Sequence, residues 1–217
     1  MGQSGVGKGT FESIETETMV RQPPLRIVLA SGSPRRADLA RAEGWHVTVA
    51  PPPDAAEADA SERGEHESLE NFVIRLACVK AIAVANAGIT GLLLACDTVG
   101  EVEGRVLGKP VDREDAERML RALSGRTHRV VSGVCLWEVS PGEKQREPFT
   151  GHAESTLFLP PLEEPWIADY LASGLWRGKA GACGFQDGRI PLELLQGSPS
   201  NVVGLPLELV REMLGKI

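Results

Sequence analysis

At 217 residues with 42% hydrophobic content, the chain suits one domain, or two small lobes sharing a core. Its formal net charge of −7 argues against nonspecific binding to DNA or RNA, but leaves room for a small anion held by a few local cations. The longest apolar runs are far too short to cross a bilayer, and four scattered cysteines and four scattered histidines form neither a CxxC pair nor HExxH, so the thiols read as buried and free and a His-based zinc site is not expected.

The chain opens with MGQSGVGKGT, which carries the GxxxxGK spacing of a phosphate loop. Such a loop needs a strand feeding into it and a helix leaving it. Only Met1 precedes Gly2, the following SIETETMV has no continuous apolar stripe, and Pro23-Pro24 stops it. Residues 1–24 are therefore expected to be a flexible N-terminal extension, followed by a domain over residues 25–217. No apolar run of signal-peptide length occurs, and Val6 breaks the myristoylation pattern.

LRIVLA (25–30) reads as a buried strand. Ser33-Pro34 then starts a helix, with Ser suited to the cap and Pro to the first turn, and the helix ends at Gly44. HVTVA is a second strand, and the acidic, Pro-rich stretch after it is a loop. A long helix follows, with the stripe Leu69, Phe72, Val73 and Leu76, and then Lys80 on the same face. That lysine either snorkels out to water or points into a cleft where an anion waits; spacing does not decide between them.

GLLLAC (91–96) is a strand ending at Asp97, and EVEGRVLG is a hairpin turning at Glu103-Gly104. DREDAERMLRAL is a helix capped by Asp112, with Gly125 just past its end. RVVSGVCLWEV and GHAESTLFL are strands. EEPWIADYLASG is a helix ended by Gly174, RGKAGACGFQDG a glycine-rich loop, IPLELL a strand, and the helix begun by Pro206 closes the chain. Alternating strands and helices give an α/β class with a mixed sheet.

Ligands in open α/β sheets sit beyond the C-terminal ends of strands, and three segments gather there. In ASGSPRR, Arg35 and Arg36 occupy the first turn of a helix, where the dipole disfavours cations. They make sense if an anion binds between them and the helix end, with the Ser31 and Ser33 hydroxyls beside it. In CDTVG, a strand-end aspartate can bind a divalent metal, act as a base, or cap a turn; a metal lowers the pKa of bound water and makes the carboxylate's task reasonable. The third set is Lys80, Lys109 and Lys179: each alone reads as a surface charge, and together they mark a polyanion site.

In this order, LASGSPRR (29–36), RLACVKA (75–81), ACDTV (95–99), LGKP (107–110), LSGRTHRVVSGV (123–134), GKAGACGFQ (178–186) and NVVGLP (201–206) resemble the Maf family of nucleoside triphosphate pyrophosphatases. The resemblance implies an elongated α/β fold, shared with inosine triphosphatase-like proteins, whose two lobes flank a central cleft. It implies hydrolysis between the α and β phosphates with a divalent metal, Mg or Mn, giving a monophosphate and pyrophosphate. Asp97 matches the family's catalytic acidic residue. Ser31, Arg35, Arg36, Lys80 and Lys109 match its phosphate-binding set, and Arg35, Thr98 and Gln186 match positions that select the base. The SPRR, DT and GFQ pieces look like the branch acting on dTTP and UTP. The alternatives are the branch acting on 7-methyl-GTP or other modified nucleotides, and a regulator that binds nucleotides without hydrolysing them.

Where relatives carry an Asp-Glu pair near the metal this chain has PPPDAAEAD, so Asp54 or Glu57 is the candidate to join Asp97 there. Glu101 is read as a hairpin surface charge, and Cys183 stands where an aromatic residue is common. A cytoplasmic enzyme is expected, with a nucleoside triphosphate as partner, no nucleic-acid polymer, no membrane, and a homodimer as a compatible assembly.

Overall fold

The computed structural model describes residues 24–53, 62–142 and 146–217. The GxxxxGK stretch, nearly all of the expected extension, and both Asp54 and Glu57 lie outside the described residues. Among those described, seven strands form one mixed sheet. They are β1 (Arg26–Leu29), β2 (His46–Val49), β3 (Gly91–Val102), β4 (Arg105–Leu107), β5 (Arg126–Val139), β6 (Phe149–Leu159) and β7 (Glu193–Gln196). The order is β2-β1-β3-β5-β6-β7, with β4 beside the far end of β3. β1 runs parallel to β2 and β3, and every other pairing is antiparallel.

Helix α1 (Pro34–Ala42) crosses from β1 to β2, and α2 (Leu69–Asn86) precedes β3. The first half of β3 is apolar on both sides because both sides are covered. Cys96 and Leu94 face α1 and the closing helix, in a core with Ile27, Leu29, Ala40, Val134 and Leu205. Leu93 and Ala95 face α2, in a core with Ala77, Ala81 and Val84. Gly133 allows the α2 contact: a Cβ there would overlap the backbone of Val73 and Ile74 in the helix. A second lobe grows from the other end of the sheet. There α3 (Arg113–Leu123) and α4 (Glu164–Ser173) pack with β4, Leu159, Trp176 and Ile190. The chain closes with two short helices, α5 (Pro199–Val203) and α6 (Leu207–Leu214).

Two expectations need correction. β3 does not stop at Cys96; it runs through Asp97 to Val102, with β5 paired to it from Gly91 to Glu101. A polar pair inside a strand is tolerated because successive side chains leave by opposite faces, and each here finds a partner. Ser33 stands at the N-cap of α1, but its side chain makes no capping bond; its backbone N–H donates instead to Ser31 Oγ at 3.2 Å. Other caps form as expected: Asp112 Oδ1 accepts from the Asp115 N–H at 2.7 Å, and Gly174 ends α4 in the left-handed conformation. Helix α5, capped by Ser198 accepting from the Asn201 N–H, has too few residues to show a periodic pattern.

Candidate functional site

A break in the pairing of β3 locates the site. β1 pairs with β3 only at Leu93 and Leu94, and β4 joins only at Gly100, so the edge from Ala95 to Val99 has no strand beside it. A cleft of about 540 Å³ opens along this edge, between the start of α1 and the glycine-rich loop of the second lobe. That volume lies within the usual range for small-molecule sites. Ser31, Arg35, Arg36, Lys80, Lys109, Thr98 and Gln186 all line it, as do Lys179 and Arg177. No acidic side chain of the described residues lines it, although the whole chain carries a net charge of −7.

Lys80 settles the choice that spacing left open. Its side chain is buried, and Nζ donates to Asp97 Oδ1 at 2.5 Å across the α2–β3 contact. Asp97 is not a lining residue; it sits one step behind Lys80 with 14% of its side chain exposed. Glu101, read as a surface charge, is taken up by Arg129, which donates from Nε at 2.7 Å.

Thr98 leaves β3 by the other face. Its hydroxyl lies 2.8 Å from Ser132 Oγ on β5 and accepts from Arg36 Nη2 at 3.1 Å. Arg36 also donates Nε–H to the Gly204 carbonyl at 2.6 Å and Nη1–H to Ser31 Oγ at 3.2 Å. One guanidinium therefore ties α1, β3 and the α5–α6 junction together. Three of its five N–H groups are used, and two are left for a ligand. Ser31 Oγ accepts twice, from Ser33 and Arg36, and is only 4% exposed, so its own hydrogen remains to donate.

Arg35 reaches the other lobe, with Nη2 donating to the Gly178 carbonyl at 3.0 Å. Burial, and then the neighbouring Arg36 charge, lower its pKa from the ordinary arginine value. The buried Lys179 ammonium is lowered too, by burial first and then by Arg35. Cations crowded together in this way are stabilised by an anion placed among them. The loop carrying Lys179 and Gln186 is held firmly. Gly181 and Ala182 are both left-handed, the Tyr170 hydroxyl donates to the Ala182 carbonyl at 3.1 Å, and the Gly181 N–H donates to Gly108 at 2.9 Å. Cys183 packs against the second-lobe core and lines the cleft, and burial pushes its thiol up to about 12.

Two lining residues escaped notice in the sequence. Arg177, stacked over Trp176 with 4.6 Å to the ring centroid, looks like any other surface arginine in RGKAG. His128 lies within a recognisable stretch, but strand alternation alone does not reveal that it faces the cleft.

No group of three or more His, Cys, Asp or Glu side chains among the described residues is placed to hold a metal. Asp97, one step behind the lining, carries the kind of carboxylate oxygen that a hard divalent cation takes alongside phosphate and water oxygens.

Residues 26–217 match the family described as Maf-like protein. The "dTTP/UTP pyrophosphatase" of Rhodopirellula baltica is 44% identical over 193 residues, covering 88% of this chain and 82% of that protein. The protein of the same name from Pelotomaculum thermopropionicum is 40% identical over 192 residues, 88% of this chain and 95% of that one. Among solved structures, a HAM1 protein from Coxiella burnetii aligns over 89% of this chain and 100% of its own, at 18% identity and a TM-score of 0.46.

Proposed function

The chain belongs to the Maf family, and on that premise we propose that it is a nucleoside triphosphate pyrophosphatase acting on dTTP and UTP. The observation that carries the reading is the cleft's charge: Arg35, Arg36, Lys80, Lys109, Arg177 and Lys179 surround one cavity free of acidic lining, in an acidic protein. Such a site suits a triphosphate, whose hydrolysis needs positioning and charge neutralisation more than a covalent nucleophile.

In this reading Ser31, Arg35, Arg36, Lys80 and Lys109 bind the phosphates. Asp97 would hold the divalent metal, its carboxylate receives the proton of the attacking water, and Lys80 fixes the carboxylate for that task. A bound Mg or Mn ion would neutralise phosphate charge and acidify water. Arg35, Thr98 and Gln186 read the base; the Gln186 amide offers both a donor and an acceptor to the carbonyl and N–H edge of a pyrimidine. Arg36 holds Thr98 and Ser31 in place while its remaining N–H groups face the anion. A cytoplasmic enzyme that clears unsuitable precursors from the nucleotide pool follows from the same reading.

The test is a panel of nucleoside triphosphates, including 7-methyl-GTP, assayed with Mg and with Mn. dTTP and UTP should show the highest kcat/KM. A clear preference for 7-methyl-GTP would overturn the pyrimidine assignment, and binding without turnover would overturn the enzyme.

A further inference from the structure

We propose that Arg177 is a further phosphate-binding residue, which meets the outer phosphates of the substrate at the mouth of the cleft. The inference rests on the triphosphate reading above and adds a residue to it.

The cations that line the cleft differ in depth. Lys80 and Lys179 are buried, whereas Lys109 and Arg177 are exposed. The two exposed cations stand on neighbouring segments. The Gly181 N–H donates to the Gly108 carbonyl at 2.9 Å, which ties the loop after Arg177 to the turn that carries Lys109. Arg177 and Lys109 therefore belong to one rim, on the second-lobe side of the cleft.

The Arg177 side chain is held there by its surroundings. Its guanidinium lies over the Trp176 ring, 4.6 Å from the centroid. That ring is a fixed platform: Trp176 is buried in the second-lobe core, and its Nε1–H donates to the Leu171 carbonyl at 3.0 Å. On another side Arg177 Nη1 lies over Gly174, where an added Cβ would come within 2.4 Å of it. A head group already positioned loses less side-chain freedom when a ligand arrives.

Its donors are also unspent. Arg118, Arg121, Arg126 and Arg211 are exposed as well, and each is bonded to a carboxylate. Arg177 has no such partner among the described residues, and no acidic side chain of those residues lines the cleft beside it. Stacking uses the face of the guanidinium and leaves its edge, the N–H fork that matches a phosphate, open to the cleft. A chain of net charge −7 repels a polyanion at a distance, so cations at the entrance act on its arrival as well as its hold.

The experiment compares the wild type, Arg177→Gln and Arg177→Lys with UTP and Mg over a range of ionic strength, alongside calorimetry of pyrophosphate and of UMP. Arg177→Gln should raise KM for UTP about three- to tenfold and leave kcat within about twofold. The KM difference should shrink as salt rises, because exposed charge pairs are screened. Arg177→Lys should fall between the two, since it keeps the charge and loses the fork and the stack. Pyrophosphate affinity should drop in Arg177→Gln, and UMP affinity should not. A wild-type KM at every ionic strength, or a loss of UMP affinity as large as that of pyrophosphate, would overturn the role of Arg177 alone. If the glutamine variant does not fold, the lysine variant decides, and a KM equal to the wild type's would overturn the role. A wild type that neither binds nor turns over UTP would overturn the triphosphate reading and this inference with it.

Discussion

Lys80 and Asp97 stand 17 positions apart in the chain and 2.5 Å apart in space. With the ammonium holding one carboxylate oxygen, Asp97→Asn keeps the shape and removes the charge. Turnover should fall by about 10²- to 10⁴-fold, with nucleotide affinity by calorimetry changed little; unchanged kcat would remove Asp97 from catalysis. Arg36 is the second residue where chemistry and architecture meet. Arg36→Lys keeps the charge, but one ammonium cannot serve Gly204, Thr98 and Ser31 together. It should cost about 1–3 kcal/mol of unfolding free energy in urea as well as activity; a fully stable variant would show that the ties contribute nothing. At this scale the sequence was informative where a residue type was anomalous for its place, such as two arginines opening a helix or a lysine on an apolar stripe. It was silent on His128, because a histidine in a β-branched strand looks the same whether it faces a core or a cleft.

Among the elements, α2 and β5 decide how Lys80 arrives. The helix lies so close to the sheet that Gly133 is the residue the contact demands. Gly133→Ala should push α2 outward, lowering stability by about 1–3 kcal/mol or more, and should weaken phosphate binding through Lys80. A variant with wild-type unfolding and wild-type KM would contradict the close approach. Long, strongly patterned elements were legible, among them α2, α3 and the strands on either side of Asp97. Boundaries were less so. Asp97-Thr98 looked like the end of a strand, since polar residues usually stop one; partners on both faces carry β3 through them. The α5 helix, five residues long, carries too short a pattern to read.

Across the whole molecule, electrostatics links the cleft to stability. Because burial depresses the His128 pKa below 6.5, the unfolded chain binds more protons than the folded one as pH falls through that value. Stability from this group is complete above about pH 6.5 and is lost as pH drops towards and past the depressed folded value. The unfolding midpoint should therefore fall between about pH 7 and pH 5, and fall less in His128→Asn; identical slopes would contradict the buried neutral imidazole. The α/β class and the mixed sheet followed from the alternation of elements. The two-lobed cleft came from the family resemblance, because no local pattern states how one strand can serve two cores. The account stands on the chemistry done in that cleft, and the most direct measurement is phosphorus NMR of UTP incubated with the enzyme and Mg. It should yield UMP and pyrophosphate in equal amounts. UDP and orthophosphate, or unreacted UTP, would contradict it.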